Sequence, residues 1–566
     1  MKLFAISFFT LLINFAYAQN DKKTWVDAQF KKLTPDEKIA QLMIIRLSEI
    51  GEGGKVTFFD ERMRGWIKKY NVGGICLFQG GPVKQATLIN EFQKMAKTPL
   101  LICIDGEWGL GMRLLDSVAP LPRQMMLGAM RSEKLAYDYG KLLAKQCVRM
   151  GIQVNYAPVV DVNNNPANPV INDRSFGEDK YTVAKYGIAV MRGMQDNNVI
   201  ACAKHFPGHG DVSVDSHYDL PVITKSMAQL DSLELYPFKE IFKAGVGSVM
   251  VAHLSIPAID NTANKPTSIS YKNVTELMRN KLGYQGLTFT DALNMKGVAK
   301  YYPAGVADVE SLIAGNDMLC LPQDVPTSIA AIKKAIADKR LTWKQIDAKV
   351  TKVLEAKYTT GLAKPTVINY NKLQADLNLG IADLTREIAR EAITFLPLDN
   401  TQPIAIPAFK TKVLVCIGTD KENSFARVLK NNLDADVFYF DYKKPADSIA
   451  SLLAKINNGN YNFVITSIHG HATRPAKNFN ISDAALSLFA QLQTTKGTHV
   501  NFNFGNPYVL NILGKVANMY QCYDDKAIVQ EVAAEFIYGI GMPNGRLPVS
   551  LQNYKLGEGW AAKKKL

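Results

Sequence analysis

Between residues 39 and 324, short apolar runs rich in branched side chains alternate with longer stretches of amphipathic, helical period. That alternation predicts βα units feeding a parallel sheet, whose strands are buried on both faces and therefore read as continuous apolar runs. Eight runs qualify: IAQLMIIRL from Ile39, VGGICLF from Val72, LLICIDGE from Leu100, IQVNYAPVVDV from Ile152, VIACAKHFPG from Val199, SVMVAHLSI from Ser248, GLTFTDALN from Gly286 and DMLCLPQD from Asp317. Eight is the number that closes a (β/α)8 barrel. The barrel is expected over residues 19–362, followed by a linker and helix over 363–392, where Pro365 and Asn369 interrupt the helical pattern. Beyond it, KVLVCIG from Lys412, ADVFYFDY from Ala435, NFVITSIHG from Asn462, HVNFNFGNP from His499 and MYQCY from Met519 again alternate with helical patterns. A smaller α/β sandwich over 393–566 is the expectation.

The polar residues of the first eight runs are unevenly placed. Asp105, Glu107, Asp161, Lys204, His205, His253, Asp291 and Asp324 all fall at or just after the C-terminal ends. Barrel enzymes assemble their active sites at that face, so the placement favours an enzyme over a purely structural barrel.

At the N-terminus, Lys2 precedes an apolar run over residues 3–15 that ends in Ala16, Tyr17 and Ala18. This reads as a cleavable signal peptide over 1–18, too short to span a bilayer, and predicts an exported protein, periplasmic or extracellular. No later segment reads as a membrane span. The seven cysteines are scattered without C-x-x-C spacing, which excludes a zinc knuckle or a disulfide framework and predicts buried thiols. The formal charge of +14 falls to +13 without Lys2. Dispersed basic residues in an apolar, globular sequence exclude nucleic-acid binding and mildly favour an anionic polymer as partner.

Two constellations carry chemistry. Lys204-His205-Phe206-Pro207-Gly208-His209-Gly210 is followed by Asp215-Ser216-His217, which places three of the chain's seven histidines within 13 positions. Clustered His and Asp also build metal sites, but Lys204 would set a cation against the ion and no HxH strand motif accompanies it, so neither metal nor cofactor is expected. The second constellation is Thr290-Asp291-Ala292-Leu293-Asn294-Met295, which puts a carboxylate at the end of the seventh run.

These residues resemble glycoside hydrolase family 3, in its bacterial β-N-acetylglucosaminidase branch, whose signature looks like KHFPGHG, a short spacer, then DSH. The likeness continues through NYAPVVDVNNNPANPVINDRSFGED from Asn155, FTDALNMKGV from Phe289, FGNPYVL from Phe504 and GMPNGRLPVS from Gly541. The resemblance implies a retaining, exo-acting β-N-acetylhexosaminidase in which Asp291 is the nucleophile and His217, oriented by Asp215, is the general acid/base. It further implies that Asp105, Arg113, Arg174, Lys204 and His205 bind the terminal sugar, with Met295 packing in the site or in the core. A His suits acid/base work because its reference pKa of about 6.5 lies near operating pH.

The chain departs from the family's DQEGGR-like run after the third strand, having Asp105-Gly106-Glu107-Trp108-Gly109-Leu110 instead. Trp108 is then either an aromatic surface for a sugar or a packed side chain. Alternative readings are a β-glucosidase or β-xylosidase, a phosphorylase using phosphate in place of water, and an inactive carbohydrate-binding protein. For the first reading, peptidoglycan fragments and chitin oligosaccharides are the expected substrates.

Overall fold

The computed structural model describes residues 20–216, 218–398 and 401–560. His217, the N-terminal 19 residues, 399–400 and 561–566 lie outside the described residues, and so do the expectations for the signal peptide and for His217.

Each of the eight apolar runs contains a strand: β1 (Met43–Arg46), β2 (Gly74–Leu77), β3 (Leu101–Ile104), β4 (Val154–Asn155), β5 (Ile200–Phe206), β6 (Ser248–Val251), β7 (Leu287–Thr290) and β8 (Leu319–Cys320). All pair in parallel, in the order β8-β1-β2-β3-β4-β5-β6-β7. A parallel bridge between Phe289 and Met318 joins β7 to the start of β8 and closes the barrel. The strands β2, β3, β6 and β7 are buried at every position, as expected for a sheet covered by helices outside and filled by side chains inside.

The second domain is a six-stranded sheet of β9 (Thr394–Leu396), β10 (Lys412–Ile417), β11 (Asp436–Phe440), β12 (Phe463–Ile468), β13 (Thr498–Asn503) and β14 (Met519–Gln521). Their order is β9-β14-β13-β12-β10-β11, parallel throughout except for the β9 edge.

Helix Ile381–Ala392 packs against both halves of the molecule, against helix Glu133–Arg149 of the barrel and helix Ala527–Ile537 of the second domain. Its buried stripe is Ile381, Leu384, Ile388, Ala389 and Ala392, while Arg386 pairs with Glu531 at 2.7 Å and Glu535 at 2.6 Å. A buried aliphatic side chain contributes about 1.5–3 kcal/mol and a partly exposed ion pair about 0–1 kcal/mol. The apolar stripe therefore fixes the helix, and Arg386 sets its register. The expected linker is thus a packed structural element along much of its length.

The two domains also meet through loops. Tyr508 of the second domain receives a hydrogen bond from Asn163 at 2.9 Å, and Asn506 donates to Asn172 Oδ1 at 2.6 Å. Both barrel partners lie in the loop after β4, so the second domain braces a wall of the barrel mouth.

Candidate active site

A cavity of about 520 Å³ opens at the C-terminal ends of the barrel strands. Seven of the residues singled out in the sequence line it: Asp105, Arg113, Arg174, Lys204, His205, Asp291 and Met295. Asp105 follows β3, Lys204 and His205 belong to β5, and Asp291 follows β7. Arg174 comes from a short turn, Asn172–Arg174, in the loop after β4. Successive strand residues normally point to opposite faces, yet Lys204 and His205 both reach the cavity. The pairing of β5 with β6 shifts register between Ala203 and Phe206, and this irregularity re-aims the two side chains.

The floor is an ion network. Lys204 Nζ donates to Asp105 Oδ1 at 2.5 Å and lies 2.7 Å from Glu107 Oε1. Arg174 grips Glu107 with both arms, Nε to Oε2 at 2.9 Å and Nη2 to Oε1 at 2.6 Å. Arg113 completes the set, donating to the Asp105 carboxylate at 2.5 Å and to its carbonyl at 3.0 Å. Glu107 is 1% exposed and Lys204 2%, so each charge is tolerable only through its partners. Burial alone would raise the Asp105 and Glu107 pKa values, but the surrounding Lys204, Arg113 and Arg174 charges outweigh it and hold both below the usual range. Burial likewise opposes charge on Lys204, and Asp105 and Glu107 overcome it and raise its pKa.

Asp161, fully buried, orders the next layer. It accepts His205 Nδ1 at 2.7 Å and the backbone amides of His205 at 3.1 Å and His209 at 2.7 Å. The His205 ring is thereby fixed with Nδ1–H toward Asp161, and its Nε2 stands 3.4 Å from Arg174 Nη2.

Asp291 is half-buried at the cavity floor. Its amide donates to Val251 O at 2.9 Å, its Oδ1 accepts the Ala292 amide at 2.7 Å, and His253 bonds the Ala292 carbonyl at 3.0 Å. His253 is buried and also shares a hydrogen bond with Ser268, so it braces the Asp291 turn from behind. Met295 is largely buried while still lining the cavity, which reconciles its two expected roles.

The Asp215-Ser216-His217 segment meets the same cavity through Ser216. Ser216 Oγ is 3.1 Å from His209 Nε2, and its carbonyl accepts the Gly297 amide at 3.3 Å. A Cβ at position 297 would stand 2.8 Å from that carbonyl, so only glycine permits the approach. Asp215 is partly buried, and its carbonyl accepts the amides of Tyr218 at 3.0 Å and Asp219 at 3.1 Å.

The departure at position 110 leaves the cavity intact. Leu110 is buried in the turn Leu110–Met112 and its amide donates to Gln146, away from the lining residues. Trp108 does line the cavity, with the Arg123 guanidinium stacked 4.3 Å from its ring. Sequence reasoning missed the structural work of Glu107, although its place at a strand end was visible, and it missed Arg474, which the second domain contributes to the lining.

A closed parallel barrel thus gathers the Asp291 carboxylate, the Asp105, Lys204, Glu107 and Arg174 network and Ser216 at its mouth. Residues 34–356 match the model of the Glycosyl hydrolase family 3 N terminal domain. The chain belongs to glycosyl hydrolase family 3. It is similar to beta-hexosaminidase A of Pseudoalteromonas piscicida, 29% identical over 86% of this chain and 90% of that one. It is 36% identical to a beta-hexosaminidase of Thiobacillus denitrificans over 44% of this chain and 70% of the relative. Among solved structures, a family 3 beta-N-acetylglucosaminidase from Paenibacillus sp. str. FPU-7 superimposes with a TM-score of 0.75 at 27% identity, covering 92% of this chain and 99% of that one. The protein is a glycoside hydrolase, and its two-domain layout is that of its family 3 neighbours.

Proposed function

We propose that the protein is a retaining, exo-acting β-N-acetylhexosaminidase that removes terminal β-linked GlcNAc from peptidoglycan fragments or chitin oligosaccharides after export from the cell. The observation that carries the reading is the convergence on one cavity of Asp291, the Lys204/His205 pair and the loop that bears Asp215 and His217. The names of the relatives support the sugar.

In the first step the Asp291 carboxylate attacks the anomeric carbon, the glycosidic bond breaks, and His217 gives its proton to the departing oxygen. Asp215 orients the imidazole and stabilises its cationic form. In the second step the neutral His217 takes a proton from water, whose oxygen displaces Asp291, so two inversions retain configuration. Asp105 accepts from sugar hydroxyls, while Arg113, Lys204 and Arg174 donate, and the network that pairs them holds them in place before substrate arrives.

The test is hydrolysis of aryl β-GlcNAc against aryl β-glucoside and aryl β-xyloside by the protein lacking residues 1–18, with Asp291→Ala and His217→Ala alongside. Preference for β-GlcNAc with loss in both variants supports the reading. Preference for β-glucoside, or variants that keep full activity, overturns it.

A further inference from the structure

The cavity is completed by Arg474, which belongs to the second domain and follows β12. Its loop is firmly held. Asn506 donates to the Thr473 carbonyl at 3.0 Å and to Asn172 Oδ1 at 2.6 Å, and the Ala472 amide donates to Phe479 O at 2.7 Å. One asparagine therefore ties the neighbour of Arg474 to the barrel turn that carries Asp173 and Arg174.

The guanidinium is underused by the protein. Nη1 is buried and has no hydrogen-bond partner among the described residues. Its nearest carboxylate oxygen, Asp173 Oδ1, stands 3.6 Å away and already accepts Arg123 Nη1 at 3.0 Å. A buried N–H without an acceptor is a rare and costly arrangement, explained where a bound ligand supplies the acceptor. Local charge points the same way. Among the described residues that line the cavity the cations are Arg46, Arg113, Arg174, Lys204, Lys296 and Arg474 and the carboxylates Asp105 and Asp291, with Glu107 and Asp161 buried behind them.

Depth distinguishes Arg474 from the sugar-binding side chains. Lys204, Arg174 and Arg113 are 2%, 12% and 14% exposed, whereas Arg474 is 35% exposed at the rim, where exposed Lys296 also lies. In an exo-acting enzyme the terminal sugar fills the depth and the leaving group passes the rim.

We propose that Arg474 recognises an oxyanion at the rim of the site, either a carboxylate on the leaving group or a free phosphate, and so makes the second domain a determinant of specificity. The proposal rests on the terminal β-GlcNAc reading and adds to it a specificity-determining residue, supplied by the second domain, that reads the negative charge beside the scissile bond. Arg suits the task because its planar fork pairs with carboxylate and phosphate through two parallel hydrogen bonds.

The experiment compares two aryl β-GlcNAc substrates of matched leaving ability, one neutral and one bearing a ring carboxylate, with wild type, Arg474→Gln and Arg474→Lys, with and without inorganic phosphate. Wild type is expected to favour the carboxylate substrate. Arg474→Gln should reduce the ratio of the two kcat/KM values by about 10- to 100-fold, the scale of one charge-assisted hydrogen bond, and Arg474→Lys by less. Phosphate that competes only against the carboxylate substrate identifies the leaving group as the source of the oxyanion. Phosphate that instead appears in the product as the sugar 1-phosphate, and fails to do so with Arg474→Gln, identifies free phosphate. A ratio unchanged by Arg474→Gln, with no phosphate effect, overturns the proposal. Failure of wild type to hydrolyse even the neutral β-GlcNAc substrate strikes the proposed sugar specificity instead, which the ratio does not test.

Discussion

His209 Nε2 lies 3.1 Å from Ser216 Oγ, so the second histidine of KHFPGHG holds the loop that carries Asp215 and His217. His209 Nδ1 has no hydrogen-bond partner among the described residues, which places the ring proton on Nε2, donating to Ser216. On the proposed mechanism His209 is a positioning residue, lining the cavity and bonded to the neighbour of His217, the proposed general acid.

On the proposed mechanism its removal loosens the acid, while Asp105, Glu107, Arg113, Arg174 and Lys204 keep their own partners. His209→Ala is expected to lower kcat by about 10- to 100-fold with a smaller change in KM, since misplacement on the ångström scale costs up to about that much. A kinetic comparison on a neutral aryl β-GlcNAc checks this. A fall confined to KM would contradict it.

The same histidine also links stability to pH. Burial and the neighbouring His205 push its pKa down to about 4, so between about pH 4 and the unfolded value of about 6.5 the unfolded chain binds the extra proton. Stability therefore rises as pH climbs through that window and is lost as pH falls through it. Thermal unfolding of wild type and His209→Asn at pH 4.5 and 7 measures the effect: the gap between the two pH values should narrow in the variant.

Glu107→Gln keeps shape and removes the charge that Arg174 and Lys204 share. Breaking a buried pair from one side costs about 3–5 kcal/mol, so a marked drop in Tm is expected, together with a raised KM as Arg174 and Lys204 lose their fixed positions. Unchanged stability would mean that Asp105 alone compensates both cations.

Lys357 is fully buried with Nζ 2.7 Å from Gln41 Oε1, and burial pushes its pKa down to about 7. Between about pH 7 and 10.5 the unfolded chain holds a proton the folded chain lacks, so wild-type stability rises with pH across that window. Lys357→Met lacks this dependence. The stability difference between the two proteins should shift in favour of wild type as pH is raised from 7 to 9, by up to about 1.4 kcal/mol per pH unit, as read by denaturant unfolding. A constant difference would show that Lys357 stays charged in the fold.

Much of the fold was legible because fully buried parallel strands are short apolar runs, and all eight runs became barrel strands. β9 was not, since the three residues Thr394–Leu396 carry too little period to register. The face that holds the cavity was legible from chain position: Asp105, Lys204, His205 and Asp291 sit at strand ends, and barrel geometry gathers strand ends in space. Pairings across long separations were not. Glu107 meets Arg174 across 67 positions, and Arg474 lines the barrel cavity on a loop that Asn506 ties to Asn172. No local pattern in the HGHATRP run over 469–475 announces the second contact.

The most direct test is intact-protein mass spectrometry of His217→Ala and of the double variant His217→Ala/Asp291→Ala after exposure to an aryl β-GlcNAc with a highly activated leaving group. Without its acid/base the enzyme should form the glycosyl-enzyme and hydrolyse it slowly, so a mass gain of one N-acetylhexosamine unit is expected, mapped to the peptide containing Asp291 and absent from the double variant. No adduct alongside continued turnover, or an adduct that survives loss of Asp291, would contradict the assignment of Asp291 as nucleophile.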